Sequence, residues 1–517
     1  MFNNKKDKKN EQSTNNQQEL QEPTKHYTKS ELKQTLDTRT KEEFVNLIKD
    51  KVSSPADFIV KNINDEITII YIENLIEVQS LNDNIISTLQ SISEPTPQLI
   101  KEKLSLAQVD ISNKLDVIIY ELIGGAALIH TKENADIVVA KISSYQSRSL
   151  SAPENESQVI GTQVGFNENL TTNISLIRRF IKSPNLCNEN FEVGEDTVTS
   201  ISLLYLKGTA SEEQVNTIRQ RIESLDVSGL IDSAILAELI DDSTKTVFPQ
   251  MLLTERPDRF CDGLLSGKIG IMMNGSSMGI VTPIAFIEFF HSKEDQNLRW
   301  QIGTMLRLLR FSAIIASVFL TPIYVAALTY HYEIISHTLI VPLSESRAIV
   351  PFPPILEALF LELIIELLRE AGSRLPTKVG QTVGIVGGIV IGTAAVDAGI
   401  TSNILIIFVA LSALASFTTP NYVMANIIRF LRFPIIILAG IWGFLGIMIA
   451  VCFLLIHLLR LSSLGAPYLS PLYPLRLKDL PNSLIRLPLS NISRQAVNTR
   501  KGDDESTNQE NNEKVSE

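Results

Sequence analysis

The sequence is poor in cysteine and histidine, and the few present do not cluster. Cys187, Cys261 and Cys452 are the three cysteines among 517 residues. Their wide spacing makes no metal motif and no disulfide framework, which fits a reducing cytoplasm. The six histidines form no H-E-x-x-H pair. A basic patch with interleaved aromatics is missing, and the net charge is −11. Both argue against nucleic acid as a partner. GLLSGKIG (263–270) falls short of a phosphate loop. Three residues separate Gly263 from Gly267 where four are needed, and Ile269 stands where a Ser or Thr would hold magnesium. Catalysis, a cofactor and a metal site are therefore not expected. The N-terminal segment, MFNNKKDKKNEQSTNNQQELQEP, has charges and amides but no apolar core. It reads as a disordered tail and not as a secretory signal.

Long uncharged runs fill the other half of the chain. Phe311–Tyr330 is twenty residues without a charge, Gln381–Pro420 has Asp397 as its single charge, and Phe433–Leu459 is uncharged, with His457 its one basic side chain. Twenty helical residues span about 30 Å, the thickness of a bilayer's hydrocarbon core. The expected architecture is thus tandem cytoplasmic α/β subdomains followed by an all-α, multi-span membrane domain. The expected boundaries are a tail at 1–38, α/β subdomains at 39–155 and 156–300, the membrane domain at 301–462, and a C-terminal segment with a polar end at 463–517.

In the first subdomain, EITIIYI (66–72), LDVIIYELI (115–123) and AALIHT (126–131) read as strands, because β-branched residues cluster in short blocks. In the second, SISLLYLKG (200–208) reads as a strand. SEEQVNTIRQRIESL (211–225) reads as a helix capped by Ser211, and SGLIDSAILAELIDD (228–242) as another. KIGIMMNGSSMGIVTP (268–283) flanks Asn274-Gly275 with apolar runs, the signature of a hairpin, here expected near the membrane mouth. Arg299, Arg307 and Arg310 precede the first span and predict a cytoplasmic N-terminal domain.

The segment PFPPILEALFLELIIELLREAG (351–372) places carboxylates among apolar residues. Its run Ile355–Leu368 is fourteen residues, short for a span, and suits a re-entrant or protein-buried helix. Glu362, Glu366 and Arg369 share one face at i, i+4 and i+7, while Glu357 points elsewhere. Carboxylates in lipid are costly and face water or a partner. One reading makes Glu362, Glu366 and Glu357 line a cation pathway; the other lays the helix at the interface, with its glutamates in headgroup water. Gly384, Gly388 and Gly392 lie four apart, so that one face permits close helix packing within or between subunits. Asp397 reads as a turn and a cap for the following helix, with a buried ion site as the lesser alternative. Four or five spans fit equally, according to whether Ile355–Leu368 crosses; a cytoplasmic C-terminus is favoured because the tail is polar.

Several blocks together resemble one family. SLSAPENESQVIGTQVGFNENLTTNISLIRRFIKSPNL (149–186) and TERPDRFCDGLLSGKIGIMMNGSSMGIVTP (254–283) are similar to signatures of the A subunit of GerA-type spore germinant receptors. So are RAIVPFPPILEALFLELIIELLREAGSRLPTKVGQTVGIVGGIVIGTAAVDAGI (347–400), ASFTTPNYVMANIIRFLRFPIIILAGIWGFLGI (415–447) and HLLRLSSLGAPYLSPLYP (457–474). The likeness runs from about 40 to 490. Thr162-Gln163-Val164 departs from it, where the family usually shows a proline and charged residues. The resemblance implies a multi-pass protein of the spore inner membrane. It further implies a homo-oligomeric cation channel, gated by germinant binding to a transporter-like B subunit and accompanied by a lipoprotein C subunit. An ion-coupled transporter subunit, a pure scaffold, or a germinant-independent channel paralogue that amplifies ion release are the competing functions. No second copy of the glutamate helix exists, as the inverted repeats of a transporter would require.

Overall fold

Ile67–Ile72 buries both of its faces, which makes it an interior strand. A computed structural model describes Leu36 and residues 40–53, 55–92, 94–132, 134–143, 152–477 and 483–488; for 377–386 it describes the backbone alone. The chain forms two compact units, one of residues up to 145 with 178–189 and 205–210, the other of the remainder.

The first unit holds α1 (Lys41–Lys51), β1 (Phe58–Asn62), β2 (Ile67–Ile72), β3 (Val109–Ser112), α2 (Leu115–Ile123), β4 (Ala126–Thr131) and β5 (Ile137–Lys141). The strands form one antiparallel sheet of order β1-β2-β4-β5-β3. The period of two along β2 separates two cores. Ile70 and Ile72 join Phe44, Ile48, Ile118 and Leu122 on one face. Ile67 and Ile69 join Ile85, Leu89 and Ile100 on the other. Arg178 donates to both oxygens of Asp57 at 2.9 and 2.6 Å, with both side chains buried.

LDVIIYELI is helix α2 and not the expected strand. Its buried residues, Leu115, Ile118, Ile119, Leu122 and Ile123, recur at helical spacing. The clustered β-branched residues carried less weight than that period.

The second unit contributes α3 (Leu170–Phe180, begun here), β6 (Leu186–Val193), β7 (Thr199–Leu206), α4 (Glu212–Glu223), α5 (Ser233–Ile240), β8 (Leu252–Thr254), α6 (Pro257–Leu265), β9 (Ile269–Met273) and β10 (Gly279–Thr282). The sheet order is β6-β7-β9-β10-β8. The expected hairpin is β9–β10, antiparallel, with Gly275 at φ +86° in its turn. Ser211 occupies the N-cap of α4, yet its side chain accepts no capping bond. The helix expected at 228–242 is only α5, because Asp232 caps it by accepting from Ala234 N at 2.8 Å.

The helices of the second unit follow: α7 (Trp300–Thr329), α8 (His337–Arg347), α9 (Pro354–Arg374), α10 (Thr377–Asp397), α11 (Asn403–Ser416), α12 (Tyr422–Trp442) and α13 (Phe444–Arg460). By length and composition α7 and α12 are long and apolar enough to cross a membrane; Gly387–Asp397, α11 and α13 are shorter apolar helices. The fourteen-residue run sits inside a continuous 21-residue helix, α9. The helix continues past Leu368 because Glu366 pairs with Arg369 and Glu370 with Arg374 along its own surface. Ser402, and not Asp397, caps α11: its hydroxyl accepts from Leu405 N at 3.3 Å, while Asp397 ends α10.

Candidate functional site in the helical domain

The contacts between helices fix their directions. Ser412 on α11 donates to Ser317 O on α7 at 2.9 Å, and Tyr324 meets Ser402 at 3.1 Å, so α11 runs against α7. Tyr330 at the end of α7 donates to Ile441 O at the end of α12, so these two run together. A Cβ on Gly440 of α12 would meet Ile355 of α9 at 2.3 Å, and α9 therefore runs against α12. Gly443, at φ +62°, turns the chain tightly from α12 into α13.

Four of these helices converge on one carboxylate. Arg432 on α12 donates to Glu362 on α9, and the side chains are 2% and 1% exposed. Thr321 on α7 donates to the other Glu362 oxygen at 2.8 Å. The Arg432 guanidinium also reaches Ser317 Oγ at 2.9 Å and the Ser412 carbonyl at 3.3 Å. Arg432 thus binds α9, α7 and α11 to α12. A buried charge is tolerable only with a partner; removing one partner alone costs about 3–5 kcal/mol. Two prolines flank the pair, Pro322 beside Thr321 and Pro434 two residues after Arg432. Each removes a helix hydrogen bond, which weakens the backbone at that level.

Glu357 lies one and a half turns earlier on α9 and is also buried. It accepts from Thr401 Oγ1 at 3.1 Å and from Ser402 N, with Arg347 at 3.8 Å. Glu366 is part-exposed and paired with Arg369. The three glutamates singled out by sequence are therefore held separately, each by its own partners. Sequence reasoning overlooked Arg432, which sits just before the uncharged run it delimits at Phe433. The signal was available: a carboxylate amid apolar helix needs a counter-charge, and IIRFLRF (427–433) supplies one in the next apolar segment.

Among the glycines, Gly387 faces α9: a Cβ there would lie 3.0 Å from Leu368. Positions Gly388 and Gly392 have nothing within 4 Å of a Cβ. Gly384 falls among the α10 residues whose surroundings lie outside the described residues.

A second charged cluster closes the foot of α7. Arg310 donates twice to Asp295, at 2.8 and 3.0 Å, and once to Phe290 O. Arg307 lies 3.7 Å from the same carboxylate, and Arg486 donates to Gln296 O at 2.7 Å. Of the three arginines expected before the span, Arg307 and Arg310 are thus inside α7 and turned inward, and Arg299 is its N-cap. His291 is half-buried and donates to Ser483 O at 2.7 Å. Burial, with Arg307, Arg310 and Arg259 nearby, holds its imidazole well below its usual pKa.

The segment after α13 returns to the second sheet's neighbourhood. Ser463 Oγ accepts from Ile284 N at 2.9 Å and donates to Gln250 O at 2.6 Å. Tyr468 donates to Pro249 O at 2.6 Å and accepts, through its carbonyl, from Phe286 N.

Residues 45–497 match the family model described as Bacillus/Clostridium GerA spore germination protein. Spore germination protein GerQA of Bacillus cereus is 42% identical, over 86% of this chain and 90% of its own length. Spore germination protein KA of Bacillus subtilis (strain 168) is 38% identical, over 85% and 83%. Among solved structures, the N-terminal domain of the A subunit of the Bacillus megaterium spore germinant receptor GerK3 is 25% identical. It covers 49% of this chain and 98% of its own, with a TM-score of 0.39.

Proposed function

The chain belongs to the Bacillus/Clostridium GerA family of spore germination proteins, and on that premise we propose that it is the membrane subunit of a germinant receptor whose helical domain conducts monovalent cations. A B-type transporter subunit that binds the germinant and a lipoprotein C subunit are its partners. The observation that carries this reading is the Glu362–Arg432 pair, buried among helices whose other faces expose large apolar residues such as Ile407, Leu411, Phe430 and Phe453. Such outer faces suit lipid, and ionisable groups inside such a bundle mark ion routes.

In this account the described state is closed, with Arg432 and Thr321 locking Glu362. Germinant binding to the partner loosens α12 against α9 at Pro434 and frees the carboxylate. Glu362, Glu366 and Glu357 then line the cation route, and copies of the chain around one axis set them in rings that attract cations. The open glycine face at Gly388 and Gly392 is where copies approach. The α/β units and the C-terminal segment lie in the cytoplasm. Since α7 leaves and the segment after α13 rejoins the same unit, the helices cross an even number of times. This favours the cytoplasmic C-terminus.

The test uses spores in which this chain is the sole A subunit. Potassium release on germinant addition is expected with the native chain and is expected to be lost in its absence. Equal release without the chain, with the B and C subunits present, contradicts the proposal.

A further inference from the structure

A cavity of about 250 Å³ lies in the second unit, between α5, the loop 243–251 and the first turn of α12. Its walls are mostly apolar, with Phe248 and Phe289 the largest side chains, but Glu238 and Asp241 also line it. The neighbouring Asp242 accepts through Oδ2 from Gly465 N at 3.0 Å and from Ser462, and Arg221 forms an ion pair with its Oδ1 at 2.8 Å. Arg221 also donates to Ile240 O, so its guanidinium is committed away from Asp241. Asp241 has a buried oxygen, Oδ1, without a hydrogen-bond partner. A carboxylate so placed calls for a cation, because burial without compensation disfavours its charged form. Apolar and aromatic walls around it select a cation that carries an apolar body.

We propose that this cavity is a binding site for a small organic primary ammonium, held by Asp241 and Glu238 and covered by Phe248 and Phe289. Its position gives it leverage on the helices. Asn421 and Val423 line it; Asn421 caps α12 by accepting from Met424 N at 3.0 Å. The loop that forms its wall meets the end of α13 through Thr246 and His457 at 2.8 Å. An occupant therefore touches the loop and α12 together, where the second sheet's unit joins the helices. The inference does not depend on the channel reading.

Burial and the adjacent Asp242 push the Asp241 carboxyl up to about 7, with Arg221 opposing and Glu238 adding to the rise. Tyr468, on the segment after α13, is the other titratable group that interacts with it. Ammonium binding should thus strengthen from pH 6 to pH 8, as the carboxyl ionises.

The ammonium could come from solution or from an amine-bearing lipid headgroup. The full chain in phosphatidylcholine nanodiscs, in constant potassium chloride at pH 8, is titrated with n-butylammonium and with neutral n-butanol by saturation-transfer NMR. The expected result is that n-butanol binds at least tenfold more weakly, and that Asp241→Asn weakens n-butylammonium at least tenfold. Ala234→Leu, which fills the cavity without altering charge, should abolish binding, and it serves if Asp241→Asn does not fold. Equal affinity for the two probes, or full binding to Ala234→Leu, overturns the proposal. In phosphatidylethanolamine nanodiscs, a fall in n-butylammonium affinity identifies the lipid headgroup as the occupant in the membrane; an unchanged affinity identifies a soluble ammonium.

Discussion

Arg432 donates to Glu362 across a sequence separation of 70 residues, and the pair is sealed from solvent inside the helical bundle. Because each charge exists there only through the other, single and double substitutions should behave differently. Glu362→Gln leaves Arg432 uncompensated and should cut the yield of assembled protein, consistent with about 3–5 kcal/mol. The apolar pair Glu362→Leu with Arg432→Met should recover that yield while germination stays impaired. Thermal melts and size-exclusion profiles of the detergent-purified chain read the first effect. If the single variant is as stable as the double, the pair does not hold the bundle.

The close approach of α9 and α12 at Gly440 predicts an asymmetry among glycines. A methyl group at Gly440 meets Ile355 Cβ at 2.7 Å, so even Gly440→Ala should lower stability, by about 1–3 kcal/mol as an overpacked contact. Gly388→Leu should leave the folding of the single chain intact and disturb only contacts between copies. Melting temperature and oligomer size, measured on the same samples, separate the two. Equal loss of melting temperature in both variants would contradict this assignment.

Ser463 ties the segment after α13 to Ile284 and Gln250. Ser463→Ala leaves a buried N–H and a buried carbonyl short of a partner, at a cost of about 1–3 kcal/mol. The segment 461–477 should then be cleaved faster in limited proteolysis. Unchanged cleavage would mean that Tyr468 alone anchors it.

The half-buried His291 gives a pH dependence of known sign. Its pKa is depressed in the fold and near 6.5 when unfolded. Below about 6.5 the unfolded chain binds a proton that the folded one refuses, so stability falls as pH drops, by up to about 1.4 kcal/mol per unit. Asp241 acts in the opposite direction, since its raised pKa removes stability as pH rises from about 4 towards about 7. The comparison of native chain with His291→Gln isolates the first effect: the loss of melting temperature between pH 7 and pH 5 should shrink in the variant. Equal slopes would show that His291 is protonated in the fold.

Much of the fold was legible because periodicity is local. EITIIYI gave an interior strand, and the uncharged stretch at Phe311–Tyr330 gave the long helix α7. LDVIIYELI misled because residue type and spacing disagreed, and spacing decided. The extent of α9 was hidden because its charged end satisfies itself by pairing at i+3 and i+4, which an apolar-run criterion cannot register. The glutamates stood out in the sequence, but their partners did not. Arg432, Thr321, Thr401 and Ser402 come from separate segments, and only the packed helices bring them to Glu362 and Glu357. The cavity at Asp241 was equally invisible, since it depends on Arg221 being committed to Asp242.

Conduction is the central claim, and it can be measured without spores. The chain is reconstituted in liposomes with the proposed B and C partner subunits, and potassium and chloride fluxes are followed on germinant addition. The native complex should pass potassium far faster than chloride. With Glu362→Gln, Arg432→Gln and Glu366→Gln combined, so that all three side chains are uncharged and polar, potassium flux should fall at least tenfold or lose its preference over chloride. Unaltered potassium flux and selectivity in that variant, at equal protein content, would contradict the account.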